Sequence, residues 1–243
     1  MNRYVLHLSY NGTFYHGWQR QKQEVKTVQQ TIEEVLTILC RRPISIIGCG
    51  RTDKGVHARS FYAHFDIDIL PKNLLYKMNK ILPDDITIYS MESAESNFHA
   101  RFAAKTRTYK YYFHITEDPF IAEVSSFYDF PNFNISLVHS AVSLLIANKN
   151  FASFCKVPEK HDGLICKIIS TSLIELENGQ YVFELSANRF LRGMIRILMF
   201  DLLEIGRGKL SLEDFQSRLN GSPRKDAVQF AYPQGLFLEE VIY

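Results

Sequence analysis

Over residues 3–91 of this chain two hydrophobic periods, one of strands and one of helices, alternate in a defined order. Residues 3–10 alternate apolar with polar, the period of a half-buried strand, and run into Asn11-Gly12, a turn dipeptide. Thr27 followed by Gln30 is a capping pattern, and Val28, Ile32, Val35, Leu36 and Leu39 fall on one helical face. Residues 44–49 read as a strand, 50–55 as a loop and 60–67 as a second strand. A helix over 71–82 and a strand over 86–91 follow. The order β-α-β-β-α-β excludes all-helical and all-β folds and is that of a ferredoxin-like unit.

The second half repeats the order more loosely. Strands are expected over 106–115, 168–176, 181–187 and 236–243. Helices are expected over 136–147, over 189–205 and from Ser211 onward. The fold class is therefore α+β: two ferredoxin-like, RRM-like halves, 1–104 and 105–243, packed around a central antiparallel sheet with a basic cleft between them. No Pro- or Gly-rich linker marks the boundary.

Charge adds a direction to this frame. The chain totals only +2, but residues 1–60 carry a net +5, 99–112 a net +4 and 187–210 a net +3, leaving −10 for the rest. Such segregation suits a polyanion on one face. Aromatics interleave with these cations: Tyr10, Phe14, Tyr15 and Trp18 before Arg20, and Tyr109, Tyr111 and Tyr112 around Lys110. That mixture fits stacking on unpaired bases. No run approaches the roughly 20 apolar residues of a membrane span, and the opening residues lack a leader pattern. Cytoplasmic location without membrane contact is the expectation. Cys40, Cys49, Cys155 and Cys166 form no C-x-x-C pair and read as free, mostly buried thiols.

Three constellations carry chemistry. In Gly50-Arg51-Thr52-Asp53-Lys54-Gly55, two glycines bracket an acid flanked by cations, and the cations favour an ionised carboxylate able to act as nucleophile or base. On spacing alone, local pairing of Asp53 with Lys54 is the plainer reading. Arg196 is the one charge in Met194-Ile195-Arg196-Ile197-Leu198-Met199-Phe200. Asp201 would lie roughly 140° around the helix from it, so a buried Arg196 needs a partner from elsewhere, with Asp53 a candidate. The alternative is a snorkelling side chain. On the expected helix, Arg189, Arg192 and Arg196 can share a face, suited to a phosphate backbone or simply a solvated edge. In 106–112, Arg107, Tyr109 and Tyr111 alternate with Thr108, Lys110 and Tyr112 on a strand; a tyrosine there can stack on a base, offer a phenol for proton transfer, or simply pack in the sheet.

Together these segments resemble the TruA family of tRNA pseudouridine synthases along almost the full chain. The resemblance rests on Tyr10-Asn11-Gly12-Thr13 with Gly17-Trp18-Gln19, on 50–58, on Phe98-His99-Ala100-Arg101-Phe102 with Arg107-Thr108-Tyr109, on 188–196 and on Gly235-Leu236-Phe237-Leu238. Phe200 departs from it, standing where the family often has a glycine. The resemblance implies isomerisation of uridine to pseudouridine at positions 38, 39 and 40 of the tRNA anticodon stem-loop, by a homodimer that needs no cofactor or metal. It makes Asp53 the catalytic nucleophile, Tyr109 the tyrosine beside the target base and Arg196 the partner of the aspartate. Arg51 would hold the flipped nucleotide and Leu236 would wall the pocket. Arg20, Lys54, Arg101, Arg107, Lys110, Arg189 and Arg192 are the expected RNA contacts. The rivals are a non-catalytic tRNA-binding protein of the same fold and a metal-dependent phosphotransferase built on Asp53.

Overall fold

The computed structural model describes residues 1–160, 163–224 and 226–243. It divides into two units, Met1–Lys105 with Phe237–Tyr243, and Thr106–Leu236. The C-terminal stretch of the expected 105–243 half thus groups with the first unit. In both units strand pairing is mostly antiparallel and helices cover apolar faces, an α+β architecture.

The first unit contains β1 (Asn2–Tyr10), α1 (Val28–Cys40), β2 (Ile47–Gly48), β3 (His57–Ile67), α2 (Leu74–Ile81) and β4 (Ile86–Ala94). β1 lies between β3 and β4, antiparallel to both; β2 extends the sheet beyond β3. The register puts Leu6 opposite Ala63 and Leu8 opposite Phe61, so alternate residues of both strands enter one core. α1 adds Val28, Ile32, Val35 and Leu36, and the Thr27 side chain caps it by accepting the Gln30 amide.

Two expected elements shrink for identifiable reasons. Residues 44–49 do not form a full strand because side chains of α1 take the Ile46 main chain. Glu33 accepts its amide at 3.1 Å and Gln29 donates to its carbonyl at 3.0 Å. α2 starts at Leu74 rather than at residue 71, because Asn73 before it is left-handed, with φ of 55°.

The second unit contains β5 (Thr106–His114), β6 (Ser126–Phe127), α3 (Ile135–Ser143), β7 (Ile168–Glu175), β8 (Gln180–Ala187), α4 (Met194–Gly206) and α5 (Leu212–Leu219). β8 lies between β5 and β7, antiparallel to both, and the short β6 runs parallel to β5. Val138, Phe113, Phe183, Leu198, Leu202 and Phe215 are buried in its core. β9 (Leu236–Ile242) closes the chain and runs parallel to β3 at His57 and Ala58.

One helix expectation is corrected. α4 begins at Met194, not at residue 189, because Gly193 before it is left-handed with φ of 72° and breaks the helical path. Arg189 and Arg192 therefore precede the helix and share no helical face with Arg196. The same helix hides an ion cluster that the sequence did not reveal. Asp201, 1% exposed, receives Arg218 at 2.8 Å and Arg224 at 2.7 Å. The four cysteines are free, three of them buried. Among the described residues, no helix is long and apolar enough to cross a membrane.

Candidate active site

In the first unit the loop between β2 and β3 is clamped by the N-terminal motif. The Trp18 amide donates to the Thr52 carbonyl and the Gly55 amide to the Tyr15 carbonyl, each at 3.2 Å. Tyr10 and Thr52 hydroxyls meet at 2.9 Å, and the Gly12 amide donates to His57 Nδ1 at 3.0 Å. The approach is too close for side chains. A Cβ on Gly12 would stand 2.0 Å from the Val56 oxygen, and one on Gly17, at φ of +85°, would stand 2.4 Å from the Thr52 oxygen. Thr52 points inward and is buried, while Asp53 next to it is half-buried. The motif's tyrosine and glycines thus fix the main chain that carries Asp53. Lys54 is exposed and makes no ion pair among the described residues, so the local Asp53–Lys54 pairing weighed above is absent.

Arg51, exposed, donates from Nε to Gln19 Oε1 at 3.0 Å, and Gln19 in turn donates to Gln29 at 2.7 Å. Arg20 pairs with the buried Glu33 at 3.0 Å. Arg51, Gln19, Trp18, His99, Arg101 and Phe102 line a recess of about 190 Å³ beside the loop. Phe102 is 74% exposed, its ring 4.3 Å from that of His99 and 5.6 Å from the Arg101 guanidinium. An exposed phenyl with a cation over it is a stacking platform for a planar, electron-rich group.

The turn carrying this platform is tied down from three directions. Arg3 donates to the Phe98 carbonyl at 2.6 Å while gripping Asp66 through two bonds of 2.8 and 2.7 Å. Tyr243 donates to the Ala100 carbonyl at 2.8 Å, and the Ala100 amide donates to His64 Nδ1 at 3.2 Å. Burial, helped by the nearby Arg3 and His99, pushes the His64 imidazole down to about 4. It is therefore neutral at neutral pH, as an acceptor of that amide must be.

In the second unit Tyr109 lies on β5 opposite Leu185 of β8, half-buried, with its ring edge-on to Phe190 at 5.0 Å. Lys110, on the alternate face, reaches Glu184 at 3.6 Å, and Arg107 is half-buried on the same strand. Arg196 sits in the first turn of α4, half-buried, with Nε donating to the Ala231 carbonyl at 2.8 Å. Asp201 is occupied by Arg218 and Arg224. Arg189 and Arg192 are exposed ahead of α4, and Leu236 is buried at the start of β9.

The sequence reading named Asp53 and Arg51 but missed what orients them: Thr52, His57 and Gln19. Their signal was proximity to motif glycines, which require a close backbone neighbour without saying which. Chemically, a carboxylate on a rigid loop between Arg51 and Lys54 is equipment for nucleophilic or acid–base work on a polyanion.

Residues 141–243 match the family model described as tRNA pseudouridine synthase. The full chain is 38% identical to tRNA pseudouridine synthase A of Porphyromonas gingivalis, covering 98% of that protein. It is likewise 38% identical to the protein of that name in Parabacteroides distasonis, covering 96% of it. For the one in Thermodesulfovibrio yellowstonii the identity is 36%, over 97% of each chain. This chain belongs to the tRNA pseudouridine synthase family, isomerases that act on a uridine of tRNA.

Proposed function

We propose that this protein converts uridine to pseudouridine in the anticodon stem-loop of tRNA, at positions 38, 39 and 40, with Asp53 as the catalytic carboxylate. The observation that carries the reading is the clamped 50–57 loop, which spends two motif glycines and a buried Tyr10–Thr52 bond to fix the carboxylate's stem.

The reaction breaks the bond from uracil N1 to ribose C1′, turns the base and joins C5 to C1′. C5 loses a proton and N1 gains one, so no electrons enter or leave. The target base must stand outside the helical stack. Asp53 acts as the nucleophile, Arg196 keeps its charge compensated, and Arg51 holds the extruded nucleotide. Tyr109 faces the base and Leu236 walls the pocket. Lys54, Arg101, Arg107, Lys110, Arg189 and Arg192 bind phosphates, and Phe102 stacks on an unpaired base. Arg20 serves RNA less directly, being held by Glu33.

The finer architecture belongs to the same proposal: two ferredoxin-like halves whose basic segments line a tRNA-binding cleft, in a cytoplasmic homodimer. The strand orders β4-β1-β3-β2 and β5-β8-β7 support it: β3 lies between β1 and β2, and β8, the third strand of its half without the two-residue β6, lies between β5 and β7.

The test is direct. The purified protein is incubated with unmodified tRNA and pseudouridines are mapped by nucleotide position. Pseudouridine at 38–40, absent from tRNA of cells lacking the gene and restored by the protein, is the expected result. Isomerisation elsewhere in the tRNA would overturn the site assignment, and none at all would overturn the activity.

A further inference from the structure

Arg196 is held from outside its own helix. Besides the Nε bond to the Ala231 carbonyl, its main-chain carbonyl accepts the Ala231 amide at 3.0 Å. Its guanidinium carbon lies 5.2 Å from the centroid of Phe230. A planar guanidinium fixed at Nε keeps only its two terminal nitrogens for other partners, and their direction follows from that anchor. Residues 230–232 therefore aim Arg196.

A buried phenol, Tyr111, and a half-buried one, Tyr128, hold this segment in turn. The Tyr232 amide donates to Tyr128 Oη at 3.0 Å, Tyr111 Oη donates to the Tyr232 carbonyl at 2.8 Å, and the two hydroxyls are 2.8 Å apart. Tyr111 Oη also lies 2.9 Å from Ser126 Oγ. A carbonyl only accepts, so with the single Tyr111 proton given to Tyr232 the Tyr111 oxygen accepts from the hydroxyls of Tyr128 and Ser126. Every polar atom of the ring is then satisfied, and both groups of the Tyr232 main chain are used. Burial holds the Tyr111 phenol far above the usual tyrosine range, so it remains a donor throughout the working pH. The strap continues through the Pro233–Gly235 turn to Leu236. A Cβ on Gly235 would stand 2.2 Å from the Tyr112 oxygen and 2.8 Å from Ser126 Oγ, so the turn packs directly on the same strands.

We infer that the Tyr111–Tyr128–Tyr232 hydrogen-bond ring is the device that positions Arg196 and Leu236 for the isomerisation. Tyr111 and Tyr128 are positioning residues, acting through the strap 230–236 rather than on the uridine. The inference rests on the reading above that Arg196 and Leu236 belong to the active site. Packing alone would be served by phenylalanine, since a buried hydroxyl is costly unless bonded.

The experiment uses the full chain and compares wild type, Tyr111→Phe, Tyr128→Phe, Arg196→Gln and the double variant Tyr111→Phe/Arg196→Gln. Single-turnover pseudouridine formation, tRNA affinity and solvent exchange of the Arg196 Nε proton are measured. Tyr111→Phe is expected to slow the chemical step about 10- to 100-fold, the cost of a small misplacement at a reacting centre. Its tRNA affinity stays within about twofold, because positioning for chemistry is separable from binding. The Arg196 proton exchanges faster, and the double variant is no slower than Arg196→Gln alone. Should Tyr111→Phe fail to fold, Tyr128→Phe carries the same expectation at the other corner of the ring. A wild-type rate, a loss confined to tRNA affinity, multiplying losses in the double variant, or unchanged proton exchange would each overturn the inference. A wild-type protein that forms no pseudouridine would instead overturn the functional reading, and the exchange measurement would still decide whether the ring holds Arg196.

Discussion

The Asp53 loop is clamped by main chain against main chain: Trp18 and Gly55 amides bond across to Thr52 and Tyr15, with Gly12 and Gly17 cleared for the approach. Arg196, by contrast, is aimed by side chains from distant parts of the sequence, Tyr111 and Tyr128 acting through the Ala231–Tyr232 peptide. A main-chain clamp tolerates no added atom, so its failure is abrupt. A hydroxyl ring can lose one bond and leave the fold standing, so its failure is graded and falls on geometry.

The sharpest way to break this contrast is Gly17→Val. At φ of +85°, with the Thr52 oxygen 2.4 Å from the new Cβ, the loop must move. Pseudouridine formation should fall by at least about 100-fold. A Gly17→Val protein with near-wild-type turnover would show that the clamp does not set the carboxylate.

Arg224→Ala probes stability without touching either support. It leaves Asp201, 1% exposed, with only Arg218, and should cost roughly 3 kcal/mol of folding stability. The rate per folded molecule should stay unchanged. Calorimetric unfolding of the two proteins measures the first expectation, and a comparable loss of rate in folded Arg224→Ala would contradict the second.

Acid should loosen the first unit through His64. Its imidazole titrates near 4 in the fold, against about 6.5 in an unfolded chain. Between those values the unfolded chain binds a proton that the fold refuses, so stability falls as pH drops from about 6.5 to 4, by up to about 3 kcal/mol. His7 and His114, also held below their usual range by burial, act in the same direction. The informative quantity is therefore the difference between wild type and His64→Asn in denaturant unfolding at pH 7 and 5. Equal pH dependence in the two would remove His64 from the account.

The smallest expected effect is at the platform. Phe102→Ala should weaken tRNA binding about fivefold or more, the lower end of what one stacked base contributes, and Phe102→Tyr should restore it. Unaltered affinity would mean that the exposed ring stacks on nothing.

The contrast also explains what could be read from the sequence. The order of strands and helices was legible because period and capping are local: Thr27 caps α1 and Ser211 caps α5 as expected. The loop was legible because a main-chain clamp leaves a fixed signature of glycines around it. The start of α4 was not, since 189–193 has helical composition and only the left-handed Gly193 stops it. Nor was the 44–49 strand, whose main chain was taken by Gln29 and Glu33 of α1. The tyrosine ring was invisible because its corners, at 111, 128 and 232, share no local pattern. Tyr111 looked like any strand tyrosine until its hydroxyl partners were in place.

In the proposed function, Asp53 does the chemistry that the clamp prepares. Single-turnover assays of Asp53→Asn on unmodified tRNA, run beside a tRNA-binding titration, test it most directly. No detectable pseudouridine, with tRNA affinity retained or increased, is expected. Wild-type-like turnover by Asp53→Asn would contradict it.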